Sequence, residues 1–176
     1  MLVGISEQHD DGLPGSPPPC SGDAARALHP AGAARRSPLS TEVLADIATG
    51  LASVVDPESA RLAVGGRRGA GNQAPSGGVV RERLLATAGY DAWLVTWLPG
   101  AVIEEHDHDG SVGVVHVVSG TLVEEARAFE PDAAVERRRL STGSCTAFGV
   151  DARHRLANVA GVALTVQVFS PPLGGG

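Results

Sequence analysis

The sequence predicts an all-β fold, a double-sheet jelly-roll barrel preceded by one helix. Three observations carry this reading. From Val79 onward, short apolar runs recur at roughly regular spacing with Gly or Asp turns between them, the pattern of a barrel or sandwich. Between Ser40 and Val55 the apolar spacing switches to that of a helix. The remaining stretches, residues 1–38 and 65–78, are rich in Pro, Gly, Ser and Ala, which cannot bury enough apolar surface to order themselves.

The elements follow in chain order. Residues 1–39 read as a disordered arm, with LPGSPPPC its clearest loop. Ser40 reads as an N-cap for a helix that places Val43, Leu44, Ile47, Leu51 and Val54 at helical spacing. The residue before a proline disfavours α, so this helix should end near Asp56-Pro57. The helical segment is taken as residues 40–64, and residues 65–78 as a flexible link. The barrel is assigned to 79–176. Its strand segments are RERLLATA, YDAWLVTWL, AVIEEHDH, VGVVHVVS, TLVEEARAF, RRRLSTG, CTAFGV, HRLANVA and ALTVQVFS.

Composition narrows the partners. A chain of 176 residues suits one domain, and 43% hydrophobic content suffices for a core. A net charge of −6 argues against nucleic acid. No apolar run reaches the roughly 18 residues a membrane helix needs. The first residues, MLVGISEQHDDG, carry acids where a signal peptide needs a basic and then an apolar stretch. Cys20 and Cys145 lie far apart and do not suggest a disulfide. The expectation is a cytoplasmic protein, a monomer or weak homo-oligomer, away from membranes. Cys145, within a strand pattern, is expected to fill the core.

The chemistry concentrates in GAVIEEHDHDGSVGVVHVVSG, residues 100–120. Side chains on a strand alternate faces, so His106 and His108 should point the same way. His154, on a later strand, can meet them inside a barrel. Three neutral imidazoles suit Fe, Ni, Cu or Zn. His116 has opposite parity to Gly113 and should face away. His9 and His29 fall in the arm and are read as inert.

The spacing is joint. Gly100 is followed by five residues, His106, one residue, His108, four residues, Gly113, six residues and Gly120. Gly143 is followed by five residues, Gly149, one residue, Asp151, two residues, His154, three residues and Asn158. Together these resemble the two motifs of the cupin superfamily over residues 79–173. Gly113 stands where that pattern usually has glutamate. A three-histidine face leaves three coordination places rather than two, room for a bidentate substrate beside dioxygen.

HDHDGS, the GTLxE segment at Gly120–Glu124, HRxxN, WLPG at Trp97–Gly100 and VFSPPL further resemble the type I cysteine dioxygenase family, in particular its bacterial branch. The resemblance implies an iron(II) thiol dioxygenase taking a small thiol and O2 to a sulfinic acid. It implies one Fe(2+) per chain held by His106, His108 and His154, with L-cysteine as substrate. The family holds the substrate carboxylate with an arginine on the strand before the first motif, a role that suits the guanidinium fork. An Arg-Leu pair in bacterial members favours Arg83, with Arg81 the runner-up. The family's Ser-His-Tyr triad would map to Thr165, Gln167 and Phe169. Gly113 stands where animal members carry a crosslinked cysteine and Phe169 where they carry its tyrosine, so no crosslink can form. Two alternatives stay open: dioxygenation of another small thiol acid such as 3-mercaptopropionate, and a non-catalytic metal-binding cupin.

Overall fold

The structure is a computed structural model that describes residues 37–62, 78–127 and 134–173. The expected arm, up to residue 36, and the expected link, up to residue 77, lie outside the described residues.

The described residues form a main helix, α1 (Thr41–Val54), and the strands β1 (Val79–Ala86), β2 (Asp91–Trp97), β3 (Val102–His106), β4 (Val112–Ser119), β5 (Thr121–Arg127), β6 (Glu136–Ser141), β7 (Cys145–Phe148), β8 (Arg153–Asn158) and β9 (Ala163–Ser170). Each strand falls within a segment the alternation pattern marked, or overlaps one closely. The strands form two antiparallel sheets, ordered β1-β2-β9-β4-β7 and β3-β8-β5-β6. One apolar cluster joins them. Val95, Trp97, Val115 and Val117 from the first sheet meet Leu122, Leu140 and Leu156 from the second. That shared interior is what makes the two sheets a barrel rather than separate layers.

The helix covers the outer face of the five-stranded sheet. Leu44 and Ala48 are fully buried against Ala92, Val114, Val166 and Val168. Burying a leucine in this way contributes about 1.5–3 kcal/mol. It also explains why every residue of β9 is buried: one face looks into the barrel and the other lies under α1. The Ser40 side chain accepts from the backbone N–H of Val43, as an N-cap does. Val43 and Val54, expected on the buried stripe, are instead 45% and 79% exposed. The contact stripe is narrow, because a helix lying across a sheet buries one line of side chains. After α1 the chain turns helical again over residues 57–62. The Asp56 carboxylate caps this second turn by accepting from the N–H groups of Glu58 and Ser59. Pro57 therefore opens a helical turn, where its missing N–H costs nothing.

Gly120 makes the tight β4–β5 turn. Its φ is +89°, and a Cβ there would stand 2.7 Å from the Ala163 Cβ. Both the left-handed backbone and the close approach require glycine. Asn158 ties the neighbouring connections together. Its Nδ2 donates to the carbonyls of Trp97, Leu98 and Gly161, and its Oδ1 accepts from Ala160. The asparagine of the second motif is thus a structural clamp. Cys145, expected in the core, is exposed on β7, the edge strand of its sheet. Outward parity on an edge leaves it uncovered.

Candidate metal centre

His106, His108 and His154 meet at one point. Their ring centroids are 4.9 Å apart in all three pairs. One nitrogen from each lies within 4.8 Å of the others. His106 ends β3 and stands opposite His154 of β8 in register. A register irregularity between Ile103 and His106 shifts the alternation, as a bulge does, so that both side chains line the cavity. His108 reaches the site differently from the expectation. It lies beyond the end of β3, in a turn where Asp109 (φ +50°) and Gly110 (φ +83°) reverse the chain. The Ser111 N–H closes that turn on the His108 carbonyl at 3.0 Å.

Two of the three rings are tethered through Nδ1. His106 Nδ1 is 2.8 Å from the Glu104 carbonyl oxygen, and His154 Nδ1 is 2.8 Å from Glu124 Oε1. An Nδ1–H that donates to an oxygen fixes the tautomer and leaves Nε2 with its lone pair. His108 Nδ1 is buried without a partner among the described residues. Burial also lowers the pKa values of His106 and His108. His108 is pushed down to about 3, first by burial and then by its two histidine neighbours. His106 is lowered by burial above all, with smaller effects from His154 and Arg81. For His106 and His108 this favours the neutral imidazole, the form that binds a metal. The donor set and its convergence fit a metal ion.

Behind His154 stands Glu124, the last residue of the GTLxE segment, to which the sequence reading gave no role of its own. It is fully buried. Its Oε2 accepts from Arg138 Nε at 2.6 Å and from Thr146 Oγ1 at 3.3 Å. Burial pushes its carboxyl up, but the bonds from His154 and Arg138 outweigh that and leave it below its ordinary value. Glu124 is therefore an anion, oriented on the back of His154. The signal for it in the sequence was parity: on β5 it shares the inward face with Leu122.

The histidines face a cavity of about 300 Å³. Arg81, Trp93, Gln167, Phe169 and Leu173 are among the side chains that line it. Arg83, the favoured arginine, is not. Its guanidinium carbon lies 4.5 Å from the centre of the Trp93 ring. Arg81 and Arg83 share one strand face, so alternation could not separate them. Arg81, the runner-up, lines the cavity with the histidines. Gln167 Nε2 donates to Thr165 Oγ1 at 3.3 Å, which also accepts from Trp97 Nε1 at 3.1 Å. Thr165 is fully buried behind Gln167 and does not line the cavity. His116 faces away as expected, with its Nδ1 3.4 Å from Thr49 Oγ1 of α1.

Gly113 lines up with Phe169 on β9 and Phe148 on β7. A Cβ at this position would overlap the Phe148 ring and stand 2.9 Å from Phe169 Cδ1. The space a fourth, carboxylate ligand would enter is thus filled by two phenyl rings.

The sequence model of the Cysteine dioxygenase type I family matches residues 77–175. The chain belongs to this family. Among solved structures, oxalate oxidase in complex with glycolate is similar at 22% identity and a TM-score of 0.52, over 60% of this chain and 57% of that one. BH2720 from Bacillus halodurans is similar at 14% identity and a TM-score of 0.50, over 54% of this chain and 72% of that one. KdgF from Halomonas sp. is similar at 26% identity and a TM-score of 0.49, over 56% and 84%. No curated protein matches. The fold is a cupin barrel, and the protein is a cupin-type member of a metal-dependent oxidoreductase family. Among the described residues no helix is long and apolar enough to cross a membrane.

Proposed function

We propose that this protein is an iron(II)-dependent thiol dioxygenase that converts L-cysteine to cysteine sulfinic acid. The observation that carries the reading is a three-histidine cluster, joined by no carboxylate among the described residues, opening on a cavity that also holds an arginine. His106, His108 and His154 would hold the iron. When bound, the iron would supply the redox reactivity that joins a thiol to O2. The balance is one RSH plus one O2 giving RSO2H. Two S–O bonds form, the O–O bond breaks, and sulfur gives four electrons to oxygen. The thiol proton ends in solvent, since the product is a sulfinate at neutral pH.

The chain's own groups bind and orient the substrate. Arg81 takes the substrate carboxylate in its fork. Phe169, Leu173, Ile103 and Leu156 give the cavity an apolar lining that limits water around the thiolate. Gln167, anchored through Thr165 to Trp97, presents its remaining amide oxygen to the substrate side. Glu124 keeps the His154 Nδ1 proton in place, so that Nε2 stays a donor toward the metal. The test is O2 uptake by iron-loaded protein across a thiol panel with and without amine and carboxylate groups. Turnover with cysteine supports the reading. Turnover only with 3-mercaptopropionate would move it to an amine-free thiol acid, and no uptake with any thiol would reject it.

A further inference from the structure

The three histidines are not held alike. His106 is tied to a backbone carbonyl and His154 to a buried carboxylate. His108 has no side-chain hydrogen bond among the described residues, and its Nδ1 is buried and unpartnered. It also lies outside any strand. What fixes its ring is aromatic packing. Phe148 stacks on it, with centroids 4.2 Å apart and planes 21° from parallel. Phe169 leans on it at 5.2 Å and 30°. Both phenyl rings are buried.

Phe148 can reach this place only because residue 113 has no side chain. Any Cβ there would overlap its ring. Phe148 also contacts His154, at 4.7 Å and a steep 58° tilt, but His154 has Glu124 to hold it. For His108 the stacked ring is the substitute for the missing hydrogen bond. We propose that Phe148 is the positioning residue for His108, and that glycine at 113 is what admits it. The pair thereby sets the orientation of the third imidazole toward the metal. This rests on the metal-centre reading above.

The geometry separates this from general core packing. Phe148 touches both His108 and His154, so a residue that only filled volume would disturb both rings. A residue that orients His108 alone affects the ring that lacks a tether. It also predicts that Gly113 acts through Phe148 rather than beside it.

The test uses the full chain loaded with Zn2+, a diamagnetic probe, with [15N]histidine labelling. Phe148→Leu keeps most of the core volume but removes the flat face. Gly113→Ala keeps the phenylalanine but displaces its ring. Circular dichroism selects the folded variants, and either single variant suffices for the readout. Each should bind Zn2+ about tenfold more weakly, the lower end of what orienting groups around a ligand contribute. The His108 ring-nitrogen signals should move or broaden while those of His106 stay. The double variant should bind no more weakly than the worse single variant. Unmoved His108 signals with wild-type affinity in the folded variants would overturn the proposal. Multiplying effects in the double variant would overturn the part assigned to Gly113. Wild-type protein whose three histidine signals do not respond to Zn2+ would reject the metal centre itself, a different failure.

Discussion

Replacing Glu124 by glutamine removes one charge from behind the metal centre and almost no volume. In the native protein both carboxylate oxygens are committed: one to His154 Nδ1 at 2.8 Å, the other to Arg138 Nε at 2.6 Å and Thr146 Oγ1 at 3.3 Å. An amide has one acceptor oxygen. If it faces His154, its NH2 meets the Arg138 N–H, donor against donor. If it faces Arg138, the NH2 meets the His154 Nδ1–H and forces the ring to change tautomer, taking the lone pair from Nε2. Either way the imidazole becomes a weaker ligand. Groups that orient metal-bound histidines typically contribute ten- to hundredfold in affinity, or about 1.4–2.7 kcal/mol. The Arg138 side chain is 39% exposed and can turn to water. Arg138→Ala should therefore lose only about two- to fivefold, within the range of a partly exposed pair. The assay is anaerobic Fe(II) competition with a chromophoric chelator. Glu124→Gln within twofold of wild type would refute the argument, as would Arg138→Ala weakening binding more than Glu124→Gln.

Other outcomes follow from the same geometry. Arg81→Ala should lower kcat/KM for carboxylate-bearing thiols by about 10- to 100-fold, the range of a charge-assisted pair, while Arg83→Ala stays within about threefold; the reverse order in steady-state O2 uptake would restore Arg83. Metal-free protein should lose stability as pH falls from 6.5 toward 3. In that window unfolded His108 is protonated and folded His108, with its pKa near 3, is not. The unfolded state then binds the extra proton, and stability drops by up to about 1.4 kcal/mol per pH unit. Urea unfolding at pH 7 and pH 5 checks this against His108→Gln, whose slope should be shallower. Gly120→Ala should cost about 2–4 kcal/mol, from the left-handed backbone and the clash with Ala163; a urea midpoint unchanged from wild type would show that the turn relaxes freely.

The barrel was legible because its strands alternate and its turns are marked by residues such as Asp109-Gly110 and Gly120. The histidine triad was legible because its spacing is tied to those same glycines. Three features were not. Arg81 and Arg83 lie on one face of one strand, and only the three-dimensional placement of β1 decides which one lines the cavity. Glu124 could be given an inward face from parity, but its partner His154 sits on a strand thirty residues away, and neither residue type nor spacing encodes that pairing. Phe148 looked like one more apolar residue in CTAFGV. Its role rests on three strands lying side by side, so that Gly113 falls between Phe148 and Phe169. The route of His108 escapes the alternation rule for a local reason. β3 ends at His106, and a turn through Asp109 and Gly110 brings the His108 side chain to the same point.

The most direct test of the central claim is to run the iron-loaded protein with cysteine under 18O2 and weigh the product. The account predicts one O2 consumed per thiol and a sulfinate in which both oxygens carry the label. A product with a single labelled oxygen, or no sulfinate at all, would contradict it.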